Sequence, residues 1–471
     1  MTAILNSQPS LRGTKQSTLH YIRGALFLLL GFIFVADSYA WRSTTIAQDI
    51  VKVQAVSAVD FLNSLGAVSS VSRRGETVEG SIECMRYTGL RWIRGGYEDH
   101  APIEDFIRLH RETGTKICYG FLSGKSDLER LLNDARQLAE AGALLSVEGL
   151  NEPNNWGIIY QDESGGRNGS WLPVARLQRD LYSSVKNDPV LKKYPVWMLS
   201  EGGAQTDNTG LQFLTIPENA NTLMPAGTKY ADYACCHNYI CHPSWYGLHD
   251  NQTWLSSLPC KECPVDGLYG NYGLTWLKKF AGYSEKELET LPRVTTETGY
   301  AISEKEGVTE EIQARLYLNL YLSQFKQGWK HTAVYLLKGR VNEPDHEKFA
   351  FYTLDYKPKQ AAHYMHNFTT ILADQKPAKS QGWLAYDIPD RTVTTHDLLL
   401  QKSDGCYMLV IWGERFGSGG ADKITVRFGG KIKQVDVYDP TIGTLSLNKH
   451  QNINFLELEV SDHPVILEIR L

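Results

Sequence analysis

The 471-residue chain has no surplus of positive charge. It carries 48 Lys and Arg against 53 Asp and Glu, and its formal net charge is -5 with an isoelectric point near 6.2. Without a basic field there is no electrostatic attraction for a phosphate backbone, so nucleic acid is not an expected partner. The sequence also lacks low-complexity stretches and internal repeats, which excludes solenoid architectures.

A long hydrophobic run is missing as well. The most apolar stretch of the N-terminal region, residues 25–35, is shorter than the ~20 residues of a comfortable membrane span. It follows Arg12, Lys15 and Arg23 and precedes Ser38-Tyr39-Ala40, a small-x-small cleavage pattern. This order is typical of an export signal. We therefore expect a secreted or periplasmic, extracytoplasmic protein, whose only membrane contact would be an uncleaved N-terminal anchor.

The cysteines do not complete a zinc ribbon. Eight are present, an even number that suits an oxidising compartment. Cys241, Cys260 and Cys263, next to His242, have ligand types that zinc accepts, but a second closely spaced cysteine pair is missing. We favour one or two loop disulfides over a zinc site.

What is present is the composition of a globular protein, with 42% hydrophobic and 21% charged residues and a mean hydropathy of -0.31. Between residues 58 and 374, β-rich runs alternate with segments of helical periodicity. The eight predicted strands are 59–68, 90–94, 116–121, 144–150, 196–199, 230–239, 293–296 and 332–337. The predicted helices are 103–113, 127–141, 172–186, 310–327 and 359–372. This alternation is typical of a (β/α)8 TIM barrel, an α/β fold.

The pattern changes near residue 375. Short alternating segments between Gly, Asp and Pro turns predict a small antiparallel β-sandwich as a C-terminal accessory domain. The predicted organisation is a leader (1–40), a polar connector without a clear period (41–57), a catalytic barrel (58–374) and the β-sandwich (375–471).

Two glutamates stand at the ends of predicted barrel strands. Glu152 lies in Asn151-Glu152-Pro153 after strand four, and Glu297 lies in Thr296-Glu297-Thr298 at the end of strand seven. Chemistry in a TIM barrel is carried by the loops that follow the strands. A pair of carboxylates is what glycosidic bond cleavage requires.

Together with Arg94 at the end of strand two and His237-Asn238-Tyr239 at the end of strand six, these motifs resemble the retaining glycoside hydrolases of clan A. The likeness is greatest to family 39 and family 5-type enzymes with an appended β-sandwich, and it covers residues 58–471. It implies that Glu297 is the nucleophile, that Glu152 is the acid/base, and that no metal or organic cofactor is needed. An ionised Glu297 is also expected to raise the pKa of Glu152.

The neighbouring residues have predicted supporting roles, each with an alternative. Arg94 would bind Glu297 and keep it ionised, or form a structural ion pair below the barrel mouth. Asn151 would bind the sugar 2-hydroxyl, or only form a turn. His237 would orient the site, or be a hydrogen-bonded structural histidine. Tyr239 should offer its hydroxyl to Glu297.

Further substrate contacts are predicted on the loops. Trp156 is the best candidate for a sugar platform among the Trp and Tyr residues after strands four and six, although such residues also form core under long loops. Glu201 ends strand five and could reach the cleft, whereas Glu148 should lie deeper, paired with a cation. The end of strand eight has Leu336-Leu337-Lys338-Gly339-Arg340 where many clan members have an aromatic residue. Lys338 or Arg340 could therefore bind an acidic or highly polar glycan.

The sequence thus predicts an exported retaining hydrolase that acts on a poly- or oligosaccharide by double displacement. Two alternatives share the fold. One is a transglycosylase that remodels a cell-surface polysaccharide or exopolysaccharide, and the other is a non-catalytic glycan-binding barrel.

Overall fold

The computed structural model describes residues 50–96, 101–168, 170–200, 224–225, 227–240, 247–258, 284–378 and 380–471. The predicted leader, Glu201 and the group formed by Cys241, His242, Cys260 and Cys263 lie outside these ranges. Within the described residues, no helix combines the length and the apolar character needed to cross a membrane.

The described residues form the following strands and helices. The strands are β1 Lys52–Gln54, β2 Val56–Ser57, β3 Leu65–Val68, β4 Trp92–Gly96, β5 Lys116–Gly120, β6 Leu144–Glu148, β7 Ile158–Tyr160, β8 Glu163–Gly165, β9 Val196–Trp197, β10 Ala234–Cys236, β11 Arg293–Thr298, β12 Trp329–Val334, β13 Trp383–Asp387, β14 Thr395–Gln401, β15 Tyr407–Gly413, β16 Asp422–Tyr438, β17 Asn448–Val460 and β18 Pro464–Arg470. The α-helices are α1 Ala58–Asn63, α2 Val78–Thr88, α3 Ile103–Thr113, α4 Leu128–Glu140, α5 Leu172–Asn187, α6 Gln252–Ser256, α7 Glu285–Thr290, α8 Glu310–Lys326 and α9 Gln360–Ile371.

Eight parallel strands form the barrel, in the order β10-β11-β12-β3-β4-β5-β6-β9. A parallel bridge between Trp197 and Tyr233 joins the two ends, and the Met198 amide donates to the Tyr233 carbonyl at 2.9 Å. The predicted (β/α)8 fold is therefore confirmed, and all carboxyl strand ends meet on one face, where TIM-barrel sites lie.

The prediction of the first barrel strand is correct only for its last residues. The run 59–68 begins with the helix α1, and only Leu65–Val68 is a strand. The helix buries Ala58, Phe61 and Leu62, which recur at the three- and four-residue spacing of one helical face. In a short apolar stretch this spacing is hard to distinguish from a buried strand.

The five predicted helices form close to their expected ends, and α4 shows why. Asp127 caps it by accepting from the Arg130 amide at 3.1 Å, and Gly142 follows it with a φ of +73°. Side-chain caps satisfy the free amides of the first turn, and glycine adopts the left-handed conformation without strain. The sequence therefore carried both boundary signals.

The accessory domain is a mostly antiparallel sheet in the order β1-β13-β16-β18-β15-β14-β2, with β17 on the free side of β16. The long β16 breaks its register between Arg427 and Ile432. Its first half pairs with β13 and its second half with β18. The two halves share a core with Leu384, Ile424, Leu409 and Leu467, as the predicted β-sandwich requires.

The segment 41–57 is not wholly a connector. Its last residues form β1 and β2, which add to opposite edges of the accessory sheet. Both strands are too short to show a period in the sequence, and they gain their hydrogen bonds from partners more than 300 positions away. The accessory sheet therefore includes chain segments that come before and after the barrel in the sequence.

Candidate active site

A cleft of about 500 Å³ opens at the carboxyl ends of the barrel strands. Its lining includes six of the predicted site residues and brings both glutamates together. They are Arg94, Asn151, Glu152, Trp156, Tyr239 and Glu297. His237 is completely buried directly behind them and contacts Glu152. Glu201 lies outside the described residues.

The backbone of Glu152 forms a tight turn that aims its side chain. Asn151 bridges to Ser200 at the end of strand five, and the Glu152 amide donates to the Ser200 carbonyl at 2.8 Å. Glu152 has a φ of +42°, and its carbonyl accepts from the amides of Asn155 and Trp156 at 2.8 and 2.9 Å. Left-handed backbone is unfavourable for a residue with a side chain and is often found at functional sites. The Asn-Glu-Pro motif is thus a turn and part of the cleft at once.

The carboxylates of Glu152 and Glu297 face each other. An oxygen from each lies within 4.8 Å of the other and of a ring nitrogen of His237. Both side chains are mostly buried, with exposed fractions of 15% and 13%. Two carboxylates this close, in a cleft open to a ligand, form the chemical centre of the site.

Arg94 connects Glu297 to the barrel interior. Its Nη1 donates to Glu297 at 2.6 Å, while Nε and Nη2 donate to Glu148 at 2.8 and 2.9 Å. Nη2 also donates to the Asn151 side-chain oxygen at 2.8 Å. Arg94 therefore forms both contacts that were predicted as alternatives, the structural ion pair with Glu148 and the contact to Glu297. One guanidinium has enough donors for both.

Tyr239 holds the other oxygen of Glu297. Its hydroxyl donates to that oxygen at 2.9 Å, the contact expected from the sequence. Burial, with the nearby charge of Glu297, raises the pKa of Tyr239 well above its ordinary value. The phenol therefore stays protonated and remains a donor to Glu297.

His237 holds Glu152 through a chain of hydrogen bonds. The Thr296 hydroxyl donates its single hydrogen to Glu148 at 2.8 Å. The Nε2 of His237, 3.1 Å from that hydroxyl oxygen, must then be the donor to it, since a hydroxyl has one hydrogen. The 2.8 Å contact between Nδ1 and Glu152 consequently contains one further proton, carried by one of the two partners.

Glu152 favours its ionised form in the unliganded site. Burial opposes ionisation of Glu152, but hydrogen bonds from His237 and Asn155, together with the charges of His237 and Arg94, outweigh it and lower the pKa of Glu152. The expectation that Glu297 raises the pKa of Glu152 is therefore wrong for this state. The sequence did not show that His237 and Asn155 both donate to this carboxylate.

Glu152, His237 and Glu297 also have the atom types of a cation site. However, Arg94 and Tyr239 already donate to the two oxygens of Glu297, and Nδ1 of His237 is directed at Glu152. A metal ion would have to compete with a buried guanidinium for the same carboxylate. The donor set suits proton transfer and nucleophilic attack better than metal coordination.

The aromatic residues divide into cleft and core. Trp156 lines the cleft and is 50% exposed, so its ring is open to a ligand. In contrast, Trp171 is buried, Tyr160 binds Asp180, and Trp254 stacks on His396 of the accessory sheet at 4.0 Å. For these three the core interpretation holds.

Several cleft residues were missed from the sequence, and Tyr335 is the most informative. It directly follows the eighth barrel strand and lines the cleft, so an aromatic residue does stand at that strand end, one position before the segment judged to lack one. Lys338 points away from the cleft, donating to the carbonyls of Gly75 and Gly339. Arg340 lines it.

Comparison with known proteins agrees with this architecture. No protein-family model matches the chain, and no curated protein matches it. Among solved structures, it is similar to a family 39 glycoside hydrolase from Bacteroides cellulosilyticus WH2, with a TM-score of 0.55, 14% identity and coverage of 88% of this chain and 82% of that chain. It is also similar to a family 51 arabinofuranosidase from Xanthomonas axonopodis pv. citri, with a TM-score of 0.51, 12% identity and coverage of 90% and 98%. At this identity the likeness shows a shared fold, the one the sequence motifs implied.

Proposed function

We propose that the protein is a retaining glycoside hydrolase that cleaves a poly- or oligosaccharide by double displacement. The observation that carries the proposal is the distance between Glu152 and Glu297, whose oxygens approach within 4.8 Å. Retaining enzymes hold their carboxyl groups about 5–5.5 Å apart, whereas inverting enzymes leave about 6.5–9.5 Å for a water molecule. An approach within 4.8 Å favours the retaining arrangement over the inverting one.

In the first step, an oxygen of Glu297 attacks the anomeric carbon and the bond to the leaving oxygen breaks. Arg94 balances the negative charge of the nucleophile, and Tyr239 orients its second oxygen. Glu152 gives a proton to the leaving oxygen. In the second step, water gives a proton to Glu152 and its hydroxyl replaces Glu297 on the anomeric carbon.

The hydrogen bond between His237 and Glu152 carries the proton that the first step uses. Nδ1 of His237 lies 2.8 Å from the carboxylate, and the pair shares one transferable proton. Transfer across this hydrogen bond gives Glu152 its acid form when a leaving oxygen comes into reach. Glu152 can then act as base once Glu297 is consumed as an ester.

Asn151 is placed to bind the reacting sugar. Its oxygen accepts from Arg94 and its nitrogen donates to the Ser123 hydroxyl at 3.0 Å. A side-chain amide has two N–H groups, so one remains for a sugar hydroxyl. A hydrogen bond to the 2-hydroxyl strengthens in the oxocarbenium-like transition state, and the fixed amide suits that role.

The export signal predicted at the N-terminus leads us to propose that this chemistry takes place outside the cytoplasm. N-terminal sequencing of the protein recovered from cell fractions tests this. A mature chain that begins near residue 41 in an extracytoplasmic fraction is expected. Recovery of the intact chain in the cytoplasm would contradict it.

The catalytic proposal is tested by separate Glu297→Gln and Glu152→Gln variants. Each is expected to lower turnover of an activated aryl glycoside by at least ~100-fold. Glu163→Gln is the matched control, because Glu163 is a half-exposed carboxylate on β8 paired with Arg176. NMR of the first product should show the anomeric configuration of the substrate, and a fluoro-sugar inactivator should label Glu297. An inverted product, or labelling of another residue, would exclude the mechanism.

A further inference from the structure

The two oxygens of Glu152 are held by neighbours of different kinds. Nδ1 of His237 lies 2.8 Å from Oε1, and Nδ2 of Asn155 donates to Oε2 at 2.9 Å. His237 is completely buried behind the cleft, and its Nε2 is bound to Thr296 at 3.1 Å. Asn155, in contrast, is half-buried and lines the cleft. Of the two partners, Asn155 is therefore the one that a substrate can contact directly.

The side chain of Asn155 is not needed for the turn in which it lies. The Asn155 amide donates to the Glu152 carbonyl at 2.8 Å, and the Asn155 carbonyl accepts from Nη1 of Arg167 at 3.1 Å. Both contacts involve main-chain atoms of Asn155, so another residue at this position can make them too. Among the described residues, the hydrogen bond that the side chain makes is the one to Glu152. The turn alone does not explain why an amide side chain stands here.

Both hydrogen bonds favour the ionised form of Glu152, because an N–H donor stabilises a carboxylate more than a neutral carboxyl group. Burial raises the pKa of Glu152, but the hydrogen bond and charge of His237, with the hydrogen bond of Asn155, outweigh burial and lower it. The first step of the proposed reaction needs the opposite form, since Glu152 has to protonate the leaving oxygen. Substrate binding therefore has to shift this balance toward the acid.

The other titratable and charged groups that face Glu152 are already bound to one another. They are Arg94, Tyr239 and Glu297, on or after three different barrel strands. Arg94 and Tyr239 donate to the two oxygens of Glu297 at 2.6 and 2.9 Å. These contacts orient the nucleophile, so a substrate that breaks them before the attack would disable it. Asn155 carries no such second duty.

The amide of Asn155 has further hydrogen-bonding capacity for a sugar. One hydrogen of Nδ2 is bound to Glu152, which leaves a second N–H, and Oδ1 has no hydrogen-bond partner among the described residues. An amide offers a donor and an acceptor side by side, so it can pair with neighbouring sugar hydroxyls. Trp156, the next residue, is half exposed on the same cleft and offers that sugar a stacking surface. A sugar that pairs with this amide competes with Glu152 for it.

We propose that Asn155 is a positioning residue that couples binding of the leaving sugar to protonation of Glu152. When hydroxyls of the leaving sugar pair with the Asn155 amide, Oε2 of Glu152 loses its donor. Glu152 then takes up the proton that it shares with His237, which leaves His237 neutral with its hydrogen on Nε2. The proposal rests on the proposed hydrolase function and names the part of the substrate that produces the acid form.

The first test observes the acid form of Glu152 directly. A panel of 4-nitrophenyl glycosides identifies the sugar that the wild-type protein accepts, and a thio-linked disaccharide of that sugar then serves as a ligand that resists cleavage. Infrared spectroscopy detects a protonated carboxyl group, and the band that is missing in Glu152→Gln belongs to Glu152. This band should grow when the disaccharide binds to wild type and should not grow with the monosaccharide, which has no leaving sugar. Equal bands with both ligands would overturn the proposal.

Variants of Asn155 separate this coupling from loss of structure. Neither Asn155→Ala nor Asn155→Asp can donate to Oε2, so the acid band should be present before ligand is added and should not grow with the disaccharide. The aspartate has the shape of asparagine and keeps the test valid if the alanine variant does not fold. Asn133→Ala, at an exposed position on α4, is the control and should behave as wild type. A band that responds to the disaccharide as in wild type in both variants would overturn the proposal.

Kinetics supply a second measurement that a merely structural role would not reproduce. A phenyl glycoside needs the acid but has no leaving sugar, whereas an oligosaccharide of the same sugar has one. Asn155→Ala should lower the ratio of kcat/KM for the oligosaccharide to kcat/KM for the phenyl glycoside by at least ~10-fold, the effect of one hydrogen bond to a charged group. Equal losses on both substrates would contradict the coupling.

The two proposals fail differently. If Glu297→Gln abolishes cleavage but the acid band does not depend on Asn155, the coupling is overturned and the hydrolase is kept. If no glycoside of the panel is cleaved and wild type is indistinguishable from Glu297→Gln, the hydrolase is overturned together with the coupling.

Discussion

Arg94 donates two parallel hydrogen bonds to Glu148, of 2.8 Å from Nε and 2.9 Å from Nη2. Burial opposes ionisation of Glu148, but the charge and hydrogen bonds of Arg94 outweigh it and lower the pKa of Glu148. The pair fixes the guanidinium plane, so that Nη1 is presented to Glu297 at 2.6 Å. Glu148 thus positions Arg94 without reaching the cleft.

The variant Glu148→Gln should reveal this positioning role. An amide nitrogen would face the donors of Arg94 and weaken the hydrogen bonds between the two side chains. Arg94 would then no longer hold Glu297 in place. We expect kcat to fall by roughly 10- to 100-fold with a smaller change in KM, and stability to fall by about 3 kcal/mol.

Steady-state kinetics and urea unfolding check the Glu148 prediction. Glu112→Gln is the control, since Glu112 pairs with Arg86 and Arg108 on the exposed surface. Such pairs contribute little. If Glu148→Gln keeps both kinetic constants within twofold of wild type, Arg94 does not depend on Glu148.

Thr296→Val tests the hydrogen-bond chain from Glu148 to His237. Valine matches threonine in shape but cannot accept from Nε2 of His237 or donate to Glu148. The imidazole then loses the contact that fixes its proton on Nε2, and kcat should fall by about 10-fold. The pH profile of kcat should shift, because the proton shared with Glu152 is no longer held in place. Thr296→Ser, which keeps the hydroxyl, should restore both; an unchanged pH profile in the valine variant would contradict the chain.

The sequence predicted the barrel because each strand and helix carries its own local pattern, as α4 shows with its Asp127 cap and Gly142. It predicted Glu152 and Glu297 because strand ends of a TIM barrel share one face. It could not predict that Arg340 and Arg74 both bind Glu343, since Arg74 and Glu343 are 269 positions apart. The direction of the Glu152 pKa shift was equally hidden, because it depends on which atoms of His237 and Asn155 face the carboxylate.

Trp156→Ala should affect binding more than chemistry. The indole is half exposed on the cleft, four positions after Glu152. Losing a stacking surface should raise KM by about 10-fold while leaving kcat within a few-fold and thermal stability unchanged. Trp156→Phe should recover part of the affinity. A fall in kcat with constant KM would show instead that the ring shapes the reacting centre.

Glu414 gives the protein a pH-dependent stability at the contact between barrel and accessory sheet. It is fully buried and accepts from the Thr253 amide at 3.1 Å and from the Ser323 hydroxyl at 3.4 Å. Burial, opposed by these hydrogen bonds, raises its pKa to about 7. Because the folded pKa lies above the unfolded one, its stabilisation is complete below about pH 4 and is lost as pH rises to about 7.

Glu414→Gln removes this titration while keeping an oxygen that accepts from Thr253. From the shift in pKa, we expect the free energy of unfolding of wild type to decrease relative to the variant by about 3 kcal/mol between pH 4 and pH 8. Urea unfolding of both proteins across this range measures the difference. Other titrating groups contribute equally to both proteins and cancel in the comparison. His463 is one of them, because hydrogen bonds to Asp439 and Asp462 raise its pKa to about 9 despite its burial. A difference that stays constant with pH would mean that Glu414 is charged in the folded protein throughout, and that Thr253 and Ser323 compensate its burial fully.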